Sequence, residues 1–301
     1  MQSKNQTVSS PLLIEKQVSI VLKREDLLHP FISGNKYRKL KYNIEEAQNK
    51  RCKTLLTFGG AFSNHIAATA FAAKEKGLRS IGVIRGDELI DTWQENTTLQ
   101  KANENGMIFK FVSRTEYRKK EQLEFIERLK NEFGEFYLVP EGGTNSLAIT
   151  GCEEILTNND KKFDVICSSV GTGGTVTGLI NSSFPNQKVI GFSALKGDFL
   201  KKDIHKMAKN DRWNLISDYH FGGYAKVTKE LVDFINDFKR QTTIPLDPIY
   251  TGKMMFGLFD MVKHDTFVTG TKILAIHTGG LQGIAGMNSV LKKKNLPLLE
   301  I

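Results

Sequence analysis

Lys36 stands in the run Gly34-Asn35-Lys36-Tyr37-Arg38-Lys39-Leu40, preceded by Ser33 and placed just before an amphipathic helical pattern. A lysine amine condenses with a carbonyl to give a Schiff base. Further along, Gly59-Gly60-Ala61-Phe62-Ser63-Asn64-His65 sits where an apolar strand pattern gives way to a helix. Helix-opening backbone amides, together with short hydroxyl or amide side chains, hold small anions. The two runs could join a carbonyl compound to Lys36 and hold an amino-acid carboxylate at Ser63 and Asn64. Each also has a plainer local reading. Lys36 reads as a surface lysine in a turn, Ser63 and Asn64 as a helix cap, and His65 as a packed histidine.

A third run, Gly171-Thr172-Gly173-Gly174-Thr175, lies between a strand pattern and a helix pattern. In that context glycines let backbone amides surround a phosphate. No Gly-Lys-Ser/Thr closes it, so it is not a nucleoside-triphosphate loop, and Val176 replaces the third glycine of a dinucleotide fingerprint. A monophosphate fits best. A phosphate loop in company with a Schiff-base lysine suggests pyridoxal phosphate. Two further polar clusters close the set: Tyr250-Thr251-Gly252-Lys253 and His277-Thr278-Gly279-Gly280. Thr278 follows an apolar run and should point into a crevice mouth. Taken singly, Tyr250 and Tyr224 read as half-buried core aromatics.

The elements that must position these residues follow from periodicity. The pattern predicts strands over 54–58, 80–84, 107–112 and 136–139. Helices are expected over 64–76, 97–105 and 117–133, ended by Gly77, Gly106 and Gly134. A second set has strands over 163–170, 188–194 and 272–277, with helices over 227–241, 253–263 and 281–291. Alternation of this kind is the signature of parallel sheets with crossover helices. Two such units place a ligand in the crevice between them.

Composition bounds the rest. The chain has 301 residues, 40% hydrophobic and 25% charged, which is ordinary for a globular protein and enough for two domains. No run is long and apolar enough to span a membrane, and the polar start predicts neither export nor a membrane partner, so the cytoplasm is expected. Cys52, Cys152 and Cys167 are widely spaced and odd in number, which fits free thiols and neither a disulfide framework nor a metal site. The formal charge of +9 raises nucleic acid as a partner. Its dense runs, such as Arg118-Lys119-Lys120, lack interleaved aromatics and any DNA-binding motif, so solvated faces are expected instead.

The clusters together resemble the 1-aminocyclopropane-1-carboxylate deaminase/D-cysteine desulfhydrase family of pyridoxal-phosphate enzymes. The matching runs are 23–27 (Lys-Arg-Glu-Asp-Leu), 34–40, 59–65, 140–145 (Pro-Glu-Gly-Gly-Thr-Asn), 171–175, 250–253 and 277–281, over nearly the whole chain. The resemblance implies an α/β fold of the tryptophan-synthase-β-like type, two open twisted domains with the cofactor in the interdomain cleft. The implied large domain is 1–46 with 148–301, the small one 47–147, and relatives suggest a homodimer. By the same resemblance Lys36 would carry the Schiff base and move the Cα proton. Asn64 would bond the cofactor's 3′-oxygen, and Gly171, Thr172, Gly173, Gly174 and Thr175 would bind its phosphate. Ser63, with neighbouring amides and His65, would hold the substrate carboxylate. Tyr250 and Tyr224 match tyrosines at the substrate, and Thr278, with Thr251, would lie near the pyridine nitrogen.

Those threonines separate two activities within the resemblance. The deaminase pattern has glutamate where Thr251 stands and leucine where Thr278 stands, whereas the desulfhydrase pattern has threonine at both. A hydroxyl at the ring nitrogen makes a weaker electron sink than a carboxylate, which suffices for β-elimination of a sulfur leaving group. The expected activity is therefore D-cysteine desulfhydrase, releasing pyruvate, sulfide and ammonia. The alternatives are the cyclopropane deaminase and a non-catalytic pyridoxal-phosphate-binding protein. Phe62, Ala67 and Ala68 depart from the resemblance, Phe62 beside the expected carboxylate site.

Overall fold

A computed structural model describes residues 1–32, 34–197 and 199–300. Ser33, which opens the lysine run in the sequence, lies outside the described residues. Along the chain run β1 (Lys4–Val8), β2 (Ser19–Arg24), β3 (Thr54–Gly59), β4 (Arg79–Arg85), β5 (Met107–Val112), β6 (Tyr137–Val139), β7 (Val165–Val170), β8 (Lys188–Ser193), β9 (Trp213–Ile216) and β10 (Lys272–Ile276). They form two sheets. One is four-stranded in the order β5-β4-β3-β6, and the other six-stranded in the order β1-β2-β10-β7-β8-β9. Every pairing is parallel except the antiparallel pair of β1 with β2.

The apolar runs explain the parallel sheets. All residues of β3 and β7 are buried, as strands covered by helices on both faces must be. Ile20, Leu22, Met254, Leu258 and Ile273 pack on one face of the larger sheet. Ile166, Leu179, Leu274 and Ile276 pack on the other. Each such side chain contributes about 1.5–3 kcal/mol of burial.

Three differences from the sequence expectations have local causes. The helix expected over 117–133 is broken into Arg114–Tyr117 and Leu123–Phe133. Tyr117 is drawn inward by its hydroxyl, which donates to Glu141 at 2.8 Å, and the chain after it closes tight turns at Lys119, Lys120 and Gln122. β2 escaped the periodicity because it ends in Lys23 and Arg24. Both are buried by ion pairs, Lys23 with Asp160 at 2.8 Å and Arg24 with Asp26 at 2.7 Å. Finally, Lys36 lies inside the first turn of helix Asn35–Asn49 rather than before it.

That helix is tied down along its length. Arg38 is buried and donates to the Glu25 carboxylate at 2.9 and 3.1 Å. Leu40, Ile44 and Ala47 share a core with Leu55 of β3 and Ala68 and Ala72 of helix Asn64–Glu75. The lysine helix therefore packs against the elements that carry the 59–65 loop. Among the described residues no helix is long and apolar enough to cross a membrane.

Candidate functional site

The glycine-bearing runs all leave the C-terminal ends of parallel strands, where open α/β sheets bind ligands. The 59–65 loop follows β3, Pro140-Glu141-Gly142-Gly143 follows β6, Gly171–Thr175 follows β7, and His277-Thr278 follows β10. The start of the lysine helix is fastened to two of them. Gly34 has φ +59°, and a Cβ there would stand 2.0 Å from the Thr278 carbonyl oxygen. Only glycine admits that approach. Asn35 donates its backbone N–H to the same carbonyl at 3.2 Å and its side-chain amide to Thr175 Oγ1 at 2.7 Å.

Lys36 Nζ donates to the Gly142 carbonyl at 3.0 Å. Burial, reinforced by repulsion from Lys39, holds its amine well below the ordinary lysine range. Lys39, one helical turn on, is only 2% exposed. It donates to Gly142 O at 3.1 Å, Thr144 Oγ1 at 2.9 Å and Thr172 Oγ1 at 3.4 Å. Thr144 and Thr172 hydroxyls meet at 2.6 Å. Lys39 was missed in the sequence; its i+3 spacing from Lys36 on one helix face was the available signal.

These features fit a phosphate-bearing carbonyl compound. Among the described residues neither Lys36 nor Lys39 has a carboxylate partner, and buried cations call for a counter-anion. Helix Gly174–Ser182 opens beside them, its amides free to receive an anion. A Cβ on Gly174 would crowd Thr144 Oγ1 at 2.9 Å and Lys39 Nζ at 3.2 Å, so the loop approaches the lysine only as glycine.

Ser63 caps helix Asn64–Glu75, its Oγ accepting from Ile66 N at 3.4 Å. The Asn64 side chain makes no hydrogen bond among the described residues, which leaves its amide available at the cleft. His65 is buried and held well below its ordinary pKa by burial, then by Lys36 and Lys39. Thr57 Oγ1 donates its only proton to Val139 O at 2.8 Å, so at 2.8 Å it must accept from His65 Nε2–H. His65 Nδ1 is thus a bare acceptor with no hydrogen bond among the described residues, facing Gly143.

Tyr250 reaches the phosphate loop: a Cβ on Gly171 would lie 3.2 Å from its hydroxyl. Tyr224 meets it edge-on, with ring centroids 6.3 Å apart, and is itself 41% exposed. Burial raises both phenols above their ordinary pKa, so both are protonated donors at neutral pH. The two threonines sit in separate hydrogen-bond groups. Thr278 Oγ1 meets Ser169 Oγ at 3.1 Å. Thr251 is 0% exposed and donates to Asp247 Oδ2 at 2.6 Å. Asp247, unnoticed in the sequence, also accepts the amides of Ile249, Tyr250 and Thr251 at 2.8–2.9 Å and so fixes the backbone on which Tyr250 stands.

Comparison with known proteins points to the same cofactor. A family model described as pyridoxal-phosphate dependent enzyme matches residues 4–279. A Pyrococcus abyssi protein named as a candidate 1-aminocyclopropane-1-carboxylate deaminase is 33% identical over 292 residues, covering 90% of this chain and 87% of the relative. The bifunctional D-cysteine desulfhydrase/1-aminocyclopropane-1-carboxylate deaminase of Arabidopsis thaliana is 32% identical, covering 87% and 72%. The D-cysteine desulfhydrase of Serratia proteamaculans is 30% identical, covering 87% and 86%. The crystal structure of an ACC deaminase homologue superposes with a TM-score of 0.84 at 30% identity, covering 97% of this chain and 94% of the other.

Proposed function

The chain belongs to the pyridoxal-phosphate-dependent enzyme family, in its 1-aminocyclopropane-1-carboxylate deaminase/D-cysteine desulfhydrase group, and we propose that it is a lyase that eliminates sulfide from D-cysteine. The overall change is D-cysteine plus water to pyruvate, hydrogen sulfide and ammonia. Bound pyridoxal phosphate supplies a conjugated sink for the electron pair released at Cα.

The protein's own groups divide the remaining work. Lys39, the Thr172 and Thr175 hydroxyls and the amides of Gly171, Gly173 and Gly174 would hold the phosphate, and Asn64 would hold the 3′-oxygen. Ser63 and the backbone amides of Asn64 and His65 orient the carboxylate, the His65 ring taking no part because its Nδ1 only accepts. Lys36, the residue that would carry the cofactor, takes the Cα proton as a neutral amine, the form favoured by its burial and by Lys39. Tyr250 and Tyr224, both protonated, face the departing thiolate as donors. Residues 47–147, whose strands make up the four-stranded sheet, act as the small domain, and 1–46 with 148–301 as the large one. A cytosolic homodimer completes this reading; light scattering at twice 33.8 kDa tests the dimer.

The observation that favours D-cysteine is the uncharged Thr278–Ser169 hydroxyl pair at the end of β10, assigned to the pyridine nitrogen. The names of several relatives favour the cyclopropane deaminase as the second reading. Substituting Lys36→Ala tests the core of both. The variant should keep its fold and bind cofactor only reversibly, with borohydride fixing none of it to the chain. It should also lose elimination; turnover at the wild-type rate would overturn the assignment.

A further inference from the structure

The Tyr-Thr-Gly-Lys run holds a lysine that the chemistry above does not use. Lys253 is 2% exposed and makes no ion pair among the described residues. Its Nζ donates instead to the carbonyls of His220 and Gly223, both at 2.8 Å. The turn it grips is unusual. Phe221, Gly222, Gly223 and Ala225 have φ of +54°, +93°, +113° and +56°, a region that L-residues avoid. Gly223 N also closes on His220 O at 3.0 Å, and Gly222 N donates to His220 Nδ1 at 2.8 Å. Two non-glycine residues held at positive φ need the surroundings to impose them, and a buried ammonium on two carbonyls does so.

The only turn residue with a negative φ between these is Tyr224, whose ring meets Tyr250. Tyr250 precedes the first residue of helix Thr251–Lys263, three residues before Lys253. One helix start therefore carries one tyrosine directly and grips the turn that carries the other. Phe221 packs edge-on against Phe256 of the same helix at 5.0 Å and adds a second point of attachment. We propose that Lys253 is a positioning residue that holds the 221–225 turn over the cleft and so fixes the Tyr224 phenol against Tyr250. Burial lowers the Lys253 amine to about 8, opposed by the nearby Asp247 carboxylate, so the ammonium persists at neutral pH.

This inference rests on the proposed amino-acid lyase activity, and the test separates the two. Holoprotein of Lys253→Met, Tyr224→Phe and the double variant is compared with wild type for kcat and KM on D-cysteine and on the cyclopropane amino acid. A misplaced phenol should lower kcat/KM about 10²-fold in Lys253→Met, chiefly through kcat. In the Tyr224→Phe background the same substitution should change it by no more than about twofold, because its effect runs through the phenol. Losses that multiply in the double variant, or no loss in Lys253→Met, overturn the inference. Chymotrypsin, which cuts after Phe and Tyr, gives a readout free of turnover. Wild type should resist cleavage at 221 and 224 and Lys253→Met should be cut there; equal resistance overturns the latch. If Lys253→Met does not fold by circular dichroism, Lys253→Gln, which keeps N–H donors without the charge, replaces it. A wild type that turns over neither amino acid overturns the proposed function, and the protease result still decides the latch.

Discussion

Lys36 and Lys39 share one acceptor: both amines lie on the Gly142 carbonyl oxygen, at 3.0 and 3.1 Å. Two buried cations this close repel, and the repulsion falls on Lys36. Lys39 thereby does two things, presenting charge to an anion at the glycine loop and favouring the neutral, nucleophilic form of its neighbour.

Lys39→Met separates these effects. Losing a charged hydrogen-bond donor to the phosphate should weaken cofactor affinity by about tenfold to a hundredfold. Removing the repulsion raises the Lys36 pKa, so the pH at which covalent cofactor uptake is half-maximal should move up. Stopped-flow uptake across pH reads both; an unshifted profile would show that Lys39 leaves the Lys36 amine alone.

Stability without cofactor should depend on pH in a defined direction. Burial depresses Lys36 and Lys39 below the ordinary lysine value of 10.5 in the folded state, and brings Lys253 down to about 8. Between the folded value and 10.5 the unfolded chain binds more protons, so unfolding becomes harder as pH rises. Denaturation midpoints of the apoprotein should climb from about pH 8 toward 10 by this contribution. The climb should shrink in Lys253→Met.

His65 should stay neutral wherever the protein is folded. Its imidazole lies well below 6.5 through burial and the two lysines. NMR of the ring protons should show no titration of His65 between about pH 5.5 and 8, the range where an ordinary histidine changes charge. A midpoint near 6.5 would contradict the buried, singly protonated form deduced from Thr57.

The exchange that would convert the threonine pair into the deaminase pattern meets Asp247. Thr251 is fully buried with its hydroxyl on that carboxylate, so Thr251→Glu sets two carboxylates together while the nearby Lys253 ammonium is engaged on the His220 and Gly223 carbonyls. The variant should lose on the order of 3–5 kcal/mol of stability, as uncompensated buried charges do. Adding Asp247→Asn should recover part of it. Thr278→Leu removes the hydroxyl from Ser169 and adds bulk at a buried position, so it should cost about 1–3 kcal/mol of stability and lower D-cysteine turnover. Denaturant midpoints and sulfide release separate the two positions.

What could be read from the sequence was what short-range pattern dictates. The apolar runs of β3, β7 and β10 and the glycines after them announced parallel strands opening into loops. Most of the pieces that stayed hidden depend on partners far along the chain, and the rest on side chains folding back onto near neighbours. Lys39 acquires its place from Thr144 and Thr172, over a hundred residues away, and in sequence is one lysine among many. Asp247 looks like any loop aspartate until its four acceptor contacts are seen. β2 reads as too polar for a strand because Asp160, which neutralises Lys23, lies 137 residues along the chain, and nothing in the pattern shows that Asp26 folds back onto Arg24. The broken helix after Tyr117 likewise follows from a distant group, Glu141.

The most direct test is a side-by-side assay of purified, cofactor-loaded wild type on D-cysteine, L-cysteine and 1-aminocyclopropane-1-carboxylate, following sulfide and ammonia. Elimination supported by an uncharged Thr278–Ser169 pair should give stoichiometric sulfide, pyruvate and ammonia from D-cysteine alone. Ammonia from the cyclopropane amino acid with no sulfide from D-cysteine would contradict the proposed desulfhydrase and make the chain a deaminase.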